Sequence, residues 1–248
     1  MAGTNKKNKL ISNGPCVILK DPQLPENIGM CARSMLNYGF SDLRIINPKK
    51  AFPNDRAISA SAGAFDKIAK NIRVFSKLEE AMKSVQILFA TSVRVRDLEK
   101  NILTPREAIT LIINKYKYCK IGFLFGPEKA GLNNTDLSEA NFIIKIPTNP
   151  GFGSLNLAMA VNVICYEWFV NYYKKITTEI KKNVELADKK KLTNFKKFLL
   201  ENIHETGFFK NKGFEKLETN VKNIFSKSLL TNKELLILYG IIKSLKNY

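Results

Sequence analysis

Five short apolar runs, rich in β-branched residues, alternate with helical patterns through the first 170 residues, and this alternation constrains the fold more than any other feature. The runs are CVIL at 16–19, LRII at 43–46, VQILFA at 85–90, CKIGFLF at 119–125 and FIIKI at 142–146, and they read as strands buried on both faces. Helices are expected near 26–38, 56–62, 77–83 and 104–115. The last opens with Thr104, Pro105 and Glu107, a capping box with proline at the first helical position, so its start has a physical reason. Strand, helix, strand at this spacing predicts an α/β fold, with a mostly parallel sheet and helices on both faces. Such sheets hold ligands at the carboxyl ends of their strands.

From Ser154 a long helix, SLNLAMAVNVICYEWFVNYY, is expected to run to about residue 173, and beyond it the character of the chain changes. Residues 171–248 hold 17 Lys, no Arg and 8 acidic residues, with no strand-like run. Helices are expected at about 187–203, 214–228 and 231–246, the last starting on a Thr231 to Glu234 capping box. Three parts follow: a basic arm over 1–13 containing Lys6, Lys7 and Lys9, an α/β domain over 14–173, and a Lys-rich helical extension over 174–248. The whole chain carries 40 Lys and Arg against 22 Asp and Glu, a net charge of +18. Composition bias accounts for part of that surplus, since Lys outnumbers Arg by 33 to 7. A polyanionic partner is its simplest physical use, because lysines that neutralise phosphates gain affinity through counterion release.

Several classes are disfavoured. The start, MAGTNKKNKLISNG, has no apolar stretch behind its basic residues, and no apolar run approaches 18 residues, so secretion and membrane insertion are not expected and a cytoplasmic protein is. Cys16, Cys31, Cys119 and Cys165 show no CxxC spacing, and His204 is the single histidine, so neither a metal site nor a histidine-based triad is expected.

Three segments that follow expected strands are dense in Gly, Pro, Asn and Ser: PQLPENIG at 22–29, FGPEKAGLNN at 125–134 and PTNPGFGSLN at 147–156. Two phosphate-binding motifs fail against them. Gly126 and Gly131 start a P-loop spacing, but Leu132 and Asn133 occupy the positions that need Lys and Ser or Thr. Gly151 and Gly153 start a GxGxxG, but Asn156 replaces its third glycine. The remaining functional reading is a pocket of main-chain groups suited to a flat, adenine-bearing cofactor; the alternative is that the glycines only make tight turns. Arg33, in the apolar helix NIGMCARSMLNYGF, is either a salt-bridged structural residue or an active-site cation.

PENIGMCARSMLNYGF at 25–40, FLFGPEKAGL at 123–132 and IPTNPGFGSLNLAMAVNVICYEW at 146–168 resemble, in order, the three motifs of the SpoU branch of the SPOUT methyltransferases, and most of all its TrmJ type. The resemblance spans most of the α/β domain. It implies a C-terminal trefoil knot, S-adenosylmethionine as cofactor, and methyl transfer to a ribose 2′-hydroxyl of RNA, at nucleotide 32 of the tRNA anticodon loop. Carried onto this chain, the cofactor contacts are Thr91, Ser92, Val93, Gly126, Ile146, Gly153, Ser154 and Leu155. Arg33 is the catalytic arginine, Asn27, Glu128 and Asn156 shape or line the site, and a homodimer is implied in which each pocket is completed by the partner's Arg33. The chain departs from the family in DPQLPEN and DLEKN, both expected to flank the RNA-binding face. The competing readings are a ribosomal RNA or another tRNA nucleotide as target, and a non-catalytic RNA-binding protein on the same fold.

Overall fold

The structure, a computed structural model, describes residues 10–93, 100–174, 185–208 and 214–245. Lys6, Lys7 and Lys9 of the basic arm, and part of DLEKN, lie outside the described residues. Among the described residues seven strands form one sheet: β1 (Cys16–Lys20), β2 (Leu43–Ile46), β3 (Ile72–Phe75), β4 (Ile87–Thr91), β5 (Ile102–Leu103), β6 (Ile121–Phe125) and β7 (Phe142–Ile144). Their order is β3-β2-β1-β6-β4-β7-β5 and every pairing is parallel. The five expected runs are the five inner strands. β3 and β5 were not expected, because edge strands need no continuous apolar run: Arg73 and Val74 of β3 are exposed, and β5 has only two residues.

Alternation along the strands divides the core into two layers. Val17, Leu19, Phe89 and Phe123 face a layer built from α1 (Pro25–Asn37), α2 (Asp55–Ala60), α3 (Ala64–Ile68), α5 (Pro105–Lys115) and α7 (Leu157–Lys174). Cys16, Ile18, Leu88 and Leu124 face the other way, towards α4 (Leu78–Ala81) and α6 (Asn134–Ser138). The Thr104 capping box forms as expected. The short α3 and α6 were not foreseen, and the expected helix at 77–83 is reduced to one turn. Gly29 permits the α1–α2 crossing, where a Cβ would collide with the Ala57 carbonyl oxygen. None of the described helices is long and apolar enough to cross a membrane.

The extension comprises α8 (Lys189–Glu205), α9 (Phe214–Lys227) and α10 (Asn232–Leu245), joined around Leu192, Phe195 and Leu235. The Thr231 to Glu234 box opens α10: Glu234 Oε2 accepts from the Thr231 N–H at 2.6 Å and Thr231 Oγ1 accepts from the Glu234 N–H at 3.1 Å. Its lysines do not all face water. Lys189 and Lys196, 1% and 4% exposed, turn inward onto Glu139 just after α6. Lys196 Nζ lies 2.6 Å from Glu139 Oε2, and Lys189 Nζ donates to the Glu139 carbonyl at 3.0 Å. From the α/β side, Lys100 donates to the carbonyls of Leu137 and Ser138, both at 2.8 Å, and to that of Ala140. The Lys189 N–H donates to the Val85 carbonyl at 2.7 Å, and Gln86 to that of Leu186 at 2.6 Å.

Burial disfavours the charge on Glu139, but Lys196, Lys189 and Lys100 hold its carboxyl below the usual range. Burial pushes the Lys100 ammonium down to about 7, an effect that Glu139 opposes and Lys196 and Lys227 reinforce. The unfolded chain therefore binds a proton at Lys100 that the folded chain does not hold between about pH 7 and the ordinary lysine value of 10.5, so this residue makes stability rise with pH across that window. Lys100→Met is predicted to flatten the rise of melting temperature between pH 7 and pH 10. An unchanged slope would show that Lys100 titrates normally.

Candidate active site at the carboxyl ends of the strands

The chain leaves β1, β4, β6 and β7 on the same edge of the sheet, and the three glycine-rich segments lie there. A cleft of about 330 Å³ lies among the second and third of these segments and the end of β4. Thr91, Ser92 and Val93, at the end of β4, form one wall. Gly126 to Leu132, after β6, form the second, and Ile146, Thr148, Gly153, Ser154 and Leu155, after β7, form the third. The first turn of α7 closes the base with Leu157 and Ala160. All eight residues expected to touch the cofactor thus lie around one cavity, together with Glu128. Asn27, Asn156 and Arg33 are not in its lining.

Asn27 and Asn156 instead hold the loops together. Glu128 Oε2 accepts from the Gln23 N–H at 2.9 Å, while Oε1 accepts from Asn27 Nδ2 at 2.6 Å and the Leu24 N–H at 3.3 Å. Asn27 Oδ1 accepts in turn from Asn156 Nδ2 at 3.0 Å. Asn156 Oδ1 caps α7 by accepting from the Ala158 N–H at 2.8 Å. One hydrogen-bonded chain therefore links all three loops, with the Asn27 side chain at its buried centre. The β4 wall is tied in separately, through the Ser92 N–H to the Ile144 carbonyl at 3.0 Å and Thr91 Oγ1 to the Leu124 carbonyl at 3.2 Å.

The glycines divide into two kinds. A Cβ on Gly126 would stand 2.5 Å from Leu132 N and 2.6 Å from the Gly131 carbonyl carbon, so the turn itself requires glycine there. A Cβ on Gly153 would meet Thr148 Oγ1 at 3.4 Å and nothing closer, so the chain has no steric need for glycine at that point. The space is part of the cleft. The turn-only reading therefore fits Gly126 and does not account for Gly153.

Arg33 is exposed on the outer side of α1 and makes no hydrogen bond or ion pair with any described residue. The salt-bridged alternative has no partner among these residues. Met30 and Asn37, at helical spacing from it, are half-buried and exposed, so this apolar helix buries the face carrying Ile28, Cys31, Ala32 and Met35 and leaves the Arg33 side open. α1 and α7 share one surface, since Tyr38, the C-cap of α1, meets Tyr166 edge-on at 5.9 Å.

Sequence reasoning missed Lys129, Thr148, Leu157 and Ala160 in the lining. All four lie inside the motifs; Leu157 and Ala160 could also have been inferred from Asn156 as an N-cap, which points the first turn of α7 at the loops. A second cavity, of about 450 Å³, opens at the amino ends of the strands. Asp42 takes Arg44 Nη2 at 2.7 Å and Arg73 Nη2 at 2.8 Å, and Lys117 and Lys120 also line the cavity.

A parallel sheet of this order, with a ligand-sized cleft where the loops of its central strands meet, defines the class of α/β protein. The model of the SpoU rRNA Methylase family matches residues 14–166, and the chain belongs to that family of RNA methyltransferases. A relative from Pseudomonas aeruginosa, named tRNA (cytidine/uridine/adenosine-2'-O-)-methyltransferase TrmJ, is 33% identical over 236 residues, which cover 91% of each protein. The crystal structure of TrmJ from Z. mobilis superposes with a TM-score of 0.84 at 34% identity, covering 94% of this chain and 99% of that one. An AdoMet-bound rRNA methyltransferase from Sinorhizobium meliloti shares the fold at 22% identity and a TM-score of 0.53, covering 66% of this chain and 59% of that one.

Replacing Glu128 by Ala leaves the buried Asn27 amide and the Gln23 N–H without an acceptor, at a cost of about 1–3 kcal/mol. A clear drop in melting temperature is predicted for Glu128→Ala, and a smaller one for Glu128→Gln, which keeps one acceptor. Gly126→Ala should also destabilise the fold, whereas Gly153→Ala should leave melting nearly unchanged and weaken occupancy of the cleft. Equal melting temperatures for the two glycine variants would contradict the distinction drawn between them.

Proposed function

We propose that this protein transfers a methyl group from S-adenosylmethionine to a ribose 2′-hydroxyl of tRNA, at nucleotide 32 of the anticodon loop, and so works in the cytoplasm. The observation that carries the reading is the convergence of Thr91, Gly126 and Gly153, from three separate loops, on one cleft whose lining is rich in glycine and small residues. Such a lining suits adenosine, whose base edge reads main-chain donors and acceptors. S-adenosylmethionine supplies the sulfonium-activated methyl group. The protein's part is to align an in-line attack and favour the alkoxide developing on the hydroxyl oxygen.

Arg33 suits that second task. Guanidinium stays protonated, so it acts by donating hydrogen bonds to a developing oxyanion more readily than by taking a proton. Its exposed position outside the cleft of its own chain supports delivery to a partner's cleft in a homodimer. α7 supports the same assembly: its sequence is apolar around most of its surface, yet Met159 and Tyr166 are 54% and 47% exposed. RNA would be gripped by basic surface around the cleft and by the outward lysines of the extension, with Lys189 and Lys196 excluded by their burial.

Incubation with labelled cofactor and tRNA, followed by nuclease digestion and mass spectrometry, should place the methyl group on one anticodon-loop ribose; label in ribosomal RNA alone would favour the competing target. Arg33→Ala is predicted to abolish transfer while leaving cofactor affinity within about twofold. Mixing it with an inactive cleft variant should restore part of the activity if Arg33 serves the partner's cleft. Full activity of the Arg33 variant alone would falsify its catalytic assignment.

A further inference from the structure

Lys129 stands out when the charges of the cleft are traced one by one. Among the described residues that line it, only Glu128 and Lys129 are ionisable. Both Glu128 oxygens are engaged by the N–H groups of the first loop, so this carboxylate faces the scaffold. Lys129 has no hydrogen-bond or ion-pair partner among the described residues, and its side chain is exposed at the mouth of the cleft.

Its backbone is well anchored. The Gly131 N–H donates to the Pro127 carbonyl at 2.8 Å, which closes the turn with Lys129 inside it, and Gly131 takes a φ of +66° that allows the reversal. Glu128 fixes the preceding residue to the first loop. A cation on a flexible stem is thus carried by a rigid turn at the entrance to a cleft that has no other free charge among its described lining residues. A cation so placed attracts an anionic oxygen at the cleft mouth, and ligand binding there removes part of the solvent that screens the pair.

We propose that Lys129 is a ligand-binding residue of this cleft, whose ammonium holds an anionic oxygen group at its mouth. The inference rests on the methyltransferase reading, within which two groups have that chemistry: the carboxylate of the cofactor's methionine tail and a phosphate of the RNA. Lys129 makes no contact with the transferred methyl group in this reading. It acts on affinity.

The test uses the full-length protein, with Lys129→Met to remove the charge while keeping an unbranched stem, and Lys129→Arg to restore a cation. Calorimetry measures binding of S-adenosylhomocysteine, which has the carboxylate, and of methylthioadenosine, which keeps the nucleoside and sulfur but lacks the amino-acid tail. Transfer to tRNA is measured over a range of salt. If the carboxylate is the partner, Lys129→Met weakens S-adenosylhomocysteine by about three- to tenfold, leaves methylthioadenosine unchanged, and Arg restores the loss. If the phosphate is the partner, both small ligands bind as before, the KM for tRNA rises by a similar factor, and the salt slope falls by about one. Lys129→Met that matches wild type in all three measurements, with an unchanged melting temperature, overturns the proposal. A wild-type protein that binds neither small ligand overturns the methyltransferase reading itself, and the role of Lys129 with it.

Discussion

Glu128, Asn27 and Asn156 form the hydrogen-bonded chain on which the site depends. Asn156 is 129 residues from Asn27, and Glu128 is 101 residues from it, so the contact is made only when β1, β6 and β7 are already assembled in one sheet. Once made, it fixes the entry to α1, the turn after β6 and the first turn of α7 together. The cleft lies between parts that cannot shift independently. A buried amide with both its donor and its acceptor engaged tolerates little displacement, because each lost bond leaves a polar group without water.

The extension shows how misleading a charge count can be. Its surplus of lysine suggests a surface for a polyanion, yet two of those lysines are buried around Glu139 and hold α8 and α9 against α4, α6 and the start of β4. A single carboxylate faces Lys189 and Lys196 with Lys100 close by, and the hydrogen bonds to main-chain carbonyls make up much of what the ion pair lacks. The junction therefore acts on folding first. The exposed cationic surface is smaller than composition implies.

Much of the fold was legible because buried parallel strands need apolar side chains on both faces, a demand that shows as continuous runs such as LRII and IGFLF. β3 and β5 escaped because an edge strand is free of that demand. The membership of the cleft was legible through the motifs, and its geometry was not: Gly126 and Gly153 look alike in sequence, and only their neighbours separate a glycine the turn requires from one that leaves room. Arg33 posed the same difficulty, since an arginine in an apolar helix gives no sign of whether a carboxylate waits across the fold.

The sequence by itself determined the alternation of strands and helices, the capping boxes at Thr104 and Thr231, the three glycine-rich segments and the family to which they point. Each of these is set by interactions within a few residues or by burial averaged over a run. Tertiary structure decided which loop atoms meet, which lysines are buried and that Arg33 stands clear of its own cleft. Those outcomes depend on partners far away in the sequence, whose proximity is a property of the packed structure and leaves no local pattern in the chain.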